Sequence, residues 1–175
     1  MDEQPNANTK VKKKLRFTKV NDELKPGDSD TKKYLDERGL STDPIDLAYI
    51  LVNDSDTIIY VNDEYVGLDQ LLPESDFWRF IVFLDLKKRG YRVRVLRGSS
   101  IDLAVWEKKK DAINERPRYI IKIVNEGRGE TIRSIIDLIK YSENNGMQLV
   151  LALISSDGIL TYYKAFTFKP MNPNL

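Results

Sequence analysis

Across residues 91–169 the hydrophobic pattern runs with period two, breaks, repeats at helical spacing and returns to strands. That succession of periods restricts the segment to five short strands around one amphipathic helix. Tyr91-Arg-Val-Arg-Val-Leu-Arg alternates strictly, so Val93 and Val95 share a face with Tyr91 while Arg92 and Arg94 point the other way. Gly98-Ser-Ser turns the chain into a second strand at 101–107, and a charged loop at 108–117 leads to a third at 118–125, whose nearly continuous apolar run is that of a buried strand. Ile132, Ile135, Ile136 and Ile139 share the apolar side of a helix that Asn144-Asn-Gly ends. Residues 149–154 form a core strand, Ser155-Ser-Asp-Gly a turn, and 160–168 a last alternating strand.

Upstream, a longer helix from Glu74 carries Phe77, Phe80, Ile81 and Leu84 at helical spacing, with Lys87-Lys88-Arg89 suited to its C-terminal dipole and Gly90 to its cap. Before it lies a smaller segment. Residues 15–20 alternate as a strand, Lys25-Pro-Gly-Asp-Ser-Asp is turn-rich, and Ser41-Thr-Asp-Pro starts a short helix with Ile45, Ala48, Tyr49 and Val52 on one face. Residues 57–61 are β-branched and aromatic, Asn62-Asp-Glu is turn chemistry, 65–67 form the return strand, and 68–72 close the segment. Residues 1–13 hold a lysine run and almost no apolar side chain, the composition of a flexible basic arm. The expected domains are therefore this arm, a small N-terminal α/β domain at 14–73, a C-terminal domain at 74–170 and a tail at 171–175. The expected class is α/β (α+β), the larger part a mixed sheet flanked by helices.

The 28 basic and 27 acidic groups nearly cancel, so attraction to a polyanion must come from a local patch. The opening is polar and no apolar run reaches membrane-span length, so a cytoplasmic chain without a membrane partner is expected. There is no histidine and no cysteine. The commonest neutral-pH general base and the soft metal ligands are thus missing, and no cofactor is expected.

The order helix, three strands, helix, two strands resembles the restriction-nuclease-like domains, in which an Asp on one strand and a Glu-x-Lys on the next hold a metal ion. Asp102 and Lys122 match the first and last positions, but Ile120 stands where the second carboxylate is needed. A metal-dependent DNA nuclease of the Holliday-junction resolvase-like class is the alternative this pattern offers; a non-enzymatic nucleic-acid-binding assembly module is a third.

A broader resemblance covers most of the chain. The Lys-Arg-Gly helix end before Tyr91-Arg-Val-Arg-Val, the Asp102 strand, Arg118-Tyr-Ile-Ile-Lys-Ile, the isoleucine helix, Leu149-Val-Leu-Ala-Leu-Ile, Asp157-Gly158 and Tyr162-Tyr163 are similar to the archaeal tRNA-intron splicing endonuclease family, nearly without gaps over 85–170. Residues 40–72 resemble that family's small N-terminal domain more loosely. The resemblance implies metal-free RNA cleavage by a tyrosine, a histidine and a lysine acting as base, acid and cation. Carried over by position, these fall on Trp106, Arg116 and Met147. Indole exchanges no proton usefully, guanidinium stays charged, and a thioether carries no charge. Taken singly, the three are a partly buried aromatic, a solvated loop cation and a core filler.

The resemblance therefore implies a non-catalytic structural subunit of the heterotetrameric type, two copies of it assembling with two of a catalytic homologue to process the bulge-helix-bulge introns of precursor tRNA. It places subunit contacts at Asp157 and Gly158 in an inserted loop and at Tyr162, Tyr163 and Phe166 on the last strand, through which an isolated chain could also form a homodimer. It places RNA contacts at Lys140, where the family has a base-clamping arginine, with Arg116 and Arg133 as further candidates. Each cation alone also reads as an ordinary solvated charge.

Overall fold

The structure, a computed structural model, describes residues 12–107 and 116–168. The arm at 1–11, most of the charged loop and the tail lie outside the described residues, as does Lys10 of the lysine run. The molecule is α+β and divides into two compact units between Phe77 and Trp78.

In the first unit, β1 (Lys13–Val20) and β2 (Glu23–Pro26) form an antiparallel hairpin. Asn21 and Asp22 turn it with positive φ, a geometry that matches the strand twist and that Asn and Asp tolerate. The chain then forms α1 (Ser29–Arg38) and α2 (Pro44–Asn53) and returns as β3 (Thr57–Val61), parallel to β1. A second Asn-Asp turn, at 62–63, leads to β4 (Glu64–Tyr65), followed by α3 (Leu68–Leu71). The sheet order is β2-β1-β3-β4. Leu15, Phe17 and Ile59 alternate inward, and α1 and α2, which contact these strands, bring Tyr34, Leu35, Ile45, Leu47, Ala48 and Ile50 to the same core.

Four details differ from the sequence reading. The return strand, expected at 65–67, is Glu64–Tyr65, because its ladder pairs only Tyr60 with Tyr65 and Val61 with Glu64. The first strand starts at Lys13 rather than Leu15, because the Lys13 N–H donates to the Asp56 carbonyl at 2.7 Å and the residue pairs with Thr57. Helix α1 and strand β2 were not expected; Asp28 caps the helix by accepting the Thr31 N–H at 2.7 Å, and Gly39 ends it in the left-handed region at φ 59°. Pro44 does open α2, but Leu47 and Ile50 are buried there and Val52 is 46% exposed, since the helix packs on both β3 and α3 rather than on one side.

The first unit closes on a 3₁₀ turn at Glu74–Asp76, and α4 (Phe77–Lys88), which ends at Gly90, φ 83°, opens the second. Strands β5 (Arg92–Val95), β6 (Leu103–Trp106) and β7 (Tyr119–Asn125) are antiparallel neighbours. Helix α5 (Ile132–Asn144) crosses over to β8 (Gln148–Ile154), parallel to β7, and β9 (Leu160–Ala165) returns antiparallel. The five strands lie in sequence order. Leu86 of α4 lies over the face bearing Val105, Ile121 and Val150, while α5 contributes Leu138 to a cluster with Ile120, Met147 and Leu149 on the other.

Both helices exist where their periodicity places them, yet each buries a rotated face. Helix α4 buries Phe80, Val82, Phe83 and Leu86 and leaves Phe77 44% exposed. Helix α5 meets the sheet through Leu138 and Ser142, so Ile132 is 81% and Ile136 43% exposed, with Ile135 and Ile139 half-buried. Two of the four isoleucines are therefore surface residues, while Ile139 packs against the core. The last strand also ends earlier than the alternation suggests, at Ala165, leaving Phe166 and Phe168 exposed beyond it. Among the described residues no helix is long and apolar enough to cross a membrane.

Candidate functional site

Trp106, Arg116 and Met147 come together at one end of the second sheet. Trp106 closes β6 opposite Arg92; Arg118, just beyond Arg116, donates its N–H to the Val105 carbonyl at 2.9 Å; and Gln148, just beyond Met147, donates to the Arg118 carbonyl at 3.0 Å. The Arg116 guanidinium lies so close to Gly146 that a methyl there would sit 2.7 Å from Nη1. The three differ in burial. Arg116 is exposed and Trp106 half-buried, but Met147 is only 9% exposed, packed among Ile120, Leu138 and Leu149. No imidazole, thiol or carboxylate belongs to this trio, and the nearby Glu107 carboxylate lies 3.7 Å from the Arg118 guanidinium.

The carboxylate and lysine of the metal alternative are instead joined in an ion network. Asp102 accepts from the Arg79 guanidinium at 2.9 Å and from the Ile123 N–H at 2.8 Å, with the Lys122 ammonium 3.9 Å away. Lys122 lies 3.1 Å from Glu130. The Asp102, Lys122 and Arg79 side chains are 14%, 17% and 24% exposed, and Ile120 is buried. An Asp surrounded by two cations and a backbone donor, beside an apolar Ile120, does not form the paired carboxylates a hard cation needs. Among the described residues no group of three or more acidic, His or Cys side chains suits a metal.

The cationic candidates lie on or beside α5. Arg133 and Lys140, both exposed, are seven residues apart and so share a face, about 10 Å apart along the axis. Arg116 is at the far end, against Gly146.

The hairpin Ser155–Gly158 projects from the opposite end of the sheet. Its Asp157 carboxyl lies below the ordinary range because the Ser155 hydroxyl donates to it. The Ser156 N–H donates to Glu126 at 2.6 Å, so two carboxylates rather than one mark this tip. Glu126 was not singled out in sequence because its partner is thirty residues away; only the pairing of β7 with β8 brings it there. A groove of about 470 Å³ beside the hairpin is lined by Val124, Leu153, Ile159 and Tyr163.

On β9, Tyr162 and Tyr163 face opposite ways. Tyr162 turns toward α4 and donates to Asp85 at 2.8 Å; burial pushes its hydroxyl far above its ordinary value, and the Asp85 carboxylate adds to the shift. Tyr163 is 54% and Phe166 67% exposed. Among the described residues β9 pairs only with β8, leaving its other edge open.

A five-stranded mixed sheet with helices on both faces defines a nuclease-like α+β domain. No family model matches the chain. It is similar to the tRNA-splicing endonuclease of Methanococcus vannielii, 25% identical over 116 residues, which are 66% of this chain and 64% of that protein. The tRNA-splicing endonuclease of Methanococcus maripaludis is 24% identical over the same shares. That of Methanosarcina acetivorans is 26% identical over 92 residues, 53% of this chain and 25% of that protein. The chain thus spans less than two thirds of the length of these relatives. All three relatives carry the same name, tRNA-splicing endonuclease.

Proposed function

We propose that the chain is a catalytically degenerate structural subunit of a tRNA-splicing endonuclease, cytoplasmic, which assembles with a catalytic homologue and orients it for cleavage of precursor tRNA introns. The observation that carries this reading is the set Trp106, Arg116 and Met147 at the sheet end, with the thioether buried rather than presented to a substrate. The open β9 edge, the exposed Ile132, Ile136, Ile159, Tyr163 and Phe166, and the two-carboxylate hairpin tip all support a chain that works by contact with another subunit. Two copies of each chain would satisfy both the edge and the tip. Arg116, Arg133 and Lys140 would then offer phosphate attraction rather than a base clamp, since lysine lacks the planar fork for stacking.

The test is reconstitution. The chain alone, the catalytic homologue from the same organism alone, and their mixture are incubated with a bulged precursor RNA in chelator. Cleavage by the mixture, with none by this chain alone, is expected; native mass spectrometry should give two copies of each. Cleavage by this chain alone would overturn the reading, and magnesium-dependent cutting of DNA would favour the metal-nuclease alternative.

A further inference from the structure

The sheet of the first unit has a second face that its helices leave uncovered. Because Leu15, Phe17, Thr57 and Ile59 point to the core, the alternation sends Lys14, Arg16, Thr18, Ile58 and Tyr60 to the other side. The register extends this across the sheet. Arg16 on β1 is opposite Tyr60 on β3, which is opposite Tyr65 on β4, so a guanidinium and two phenol rings form one row over three strands. Lys14 opposite Ile58 forms the row below, and Lys25 on β2 lies opposite Thr18. Lys14, Arg16 and Lys25 are exposed, Tyr65 is 63% exposed, and Tyr60 and Ile58 are half-buried.

We propose that this face is a platform for single-stranded RNA, with the Tyr60 and Tyr65 rings stacking on unpaired bases and Lys14, Arg16 and Lys25 holding the phosphates. The choice of RNA over other nucleic acid rests on the function proposed above. Neighbouring strands are about 4.8 Å apart, so the two rings offer adjoining apolar surfaces to bases splayed from a strand. Rings beside cations on an open four-stranded sheet are the arrangement by which sheet domains take single strands. A protein partner is the poorer fit, because lysine is depleted at protein interfaces and here it flanks the aromatic row. The acids on this side, Glu23 and Asp63, lie toward the hairpin turns. Asp63 is 3.9 Å from Arg16 with both side chains largely exposed, a contact that water screens and a phosphate can displace.

The full chain is titrated against labelled 12-mer oligouridylate and oligoadenylate by fluorescence anisotropy at two salt concentrations. Tyr65→Ala should weaken binding about 5- to 100-fold while Tyr65→Phe stays near wild type, because the ring and not the hydroxyl stacks. Lys14→Gln with Arg16→Gln should weaken binding and lower the slope of log affinity against log salt by about 1.4, two phosphates at about 0.7 each. Failure of the wild-type chain to bind either oligomer would overturn the proposal. So would equal affinity of Tyr65→Ala and wild type, or an oligoglutamate binding as tightly as RNA with the same dependence on Tyr65. The subunit reading fails separately: a mixture that does not cleave, from a chain whose oligomer binding depends on Tyr65, sinks that reading and keeps the platform. A mixture that cleaves, from a chain indifferent to Tyr65→Ala, does the reverse.

Discussion

The thioether of Met147 lies among Ile120, Leu138 and Leu149, where an ammonium would shed most of its water. Placing a lysine there is therefore a question of stability. Met147→Lys is expected to lower the unfolding free energy by about 2–4 kcal/mol, against less than about 1.5 kcal/mol for Met147→Leu. Urea unfolding followed by circular dichroism reads both; equal midpoints for Met147→Lys and wild type would remove Met147 from the core. The Asp102 network makes a related point about residues. In sequence, Asp102 and Lys122 have the spacing of a metal site, and only the positions of Arg79 and Glu130 reveal an ion network instead. Those two partners come from α4 and from the turn before α5, far apart in the chain, so no local pattern points to them.

Among the elements, β9 matters most because it has one paired and one open side. If that edge joins subunits, a charge placed on it should block the pairing at little cost to the chain's own sheet. Tyr163→Lys, which adds charge at a 54% exposed position, is expected to leave the unfolding free energy within about 0.5 kcal/mol of wild type and to abolish self-association. Sedimentation velocity reads the second outcome, and undiminished dimerisation would place the contact elsewhere. The order of strands and helices in the second unit was legible because each has a clean period and a clear stop, as Gly90 and Gly146 show with their positive φ. Burial was less legible. The four isoleucines of α5 define an apolar stripe, but which side of a helix meets a sheet depends on where the crossover sets it down, and here Leu138 and Ser142 take that place. Helix α1 was missed for a different reason: Ser-Asp-Thr-Lys-Lys-Tyr-Leu-Asp-Glu-Arg has only Tyr34 and Leu35 to mark a buried side, and its signals are the Asp28 cap and the Gly39 end.

For the whole molecule, the missing histidines and cysteines set how stability depends on pH. No side chain with an ordinary value titrates between about pH 5.5 and 8, so the unfolding free energy should be flat there. At lower pH the carboxylates take over. Asp54 lies below its ordinary 3.8, chiefly because the Thr57 hydroxyl donates to it, and Asp28 lies below 3.8 because the Thr31 N–H does. Groups lowered by folding contribute stability that is complete above the unfolded value and lost as pH falls through the folded one. Urea titrations across pH should thus show a plateau and then a fall beginning near the ordinary carboxylate range. A slope centred near pH 6.5 would contradict this account. The near cancellation of charge, with a net of +1, also means that any attraction for RNA is local and short-ranged in salt.

The tight hairpin between β8 and β9 has a consequence during synthesis. Strand β8 is among the most apolar stretches of the chain, and while it is being made its outer edge has no neighbour. Its cover, β9, follows after a short turn that Gly158 makes with φ 82° and that the Ser155 and Gly158 backbone bonds close. Hairpins of this kind form in about 1–10 μs, far faster than a ribosome adds a residue. The interval in which a nascent chain shows an uncovered β8 is therefore set by translation alone, and the brevity of the turn keeps it to the growth from Ser155 to Ala165.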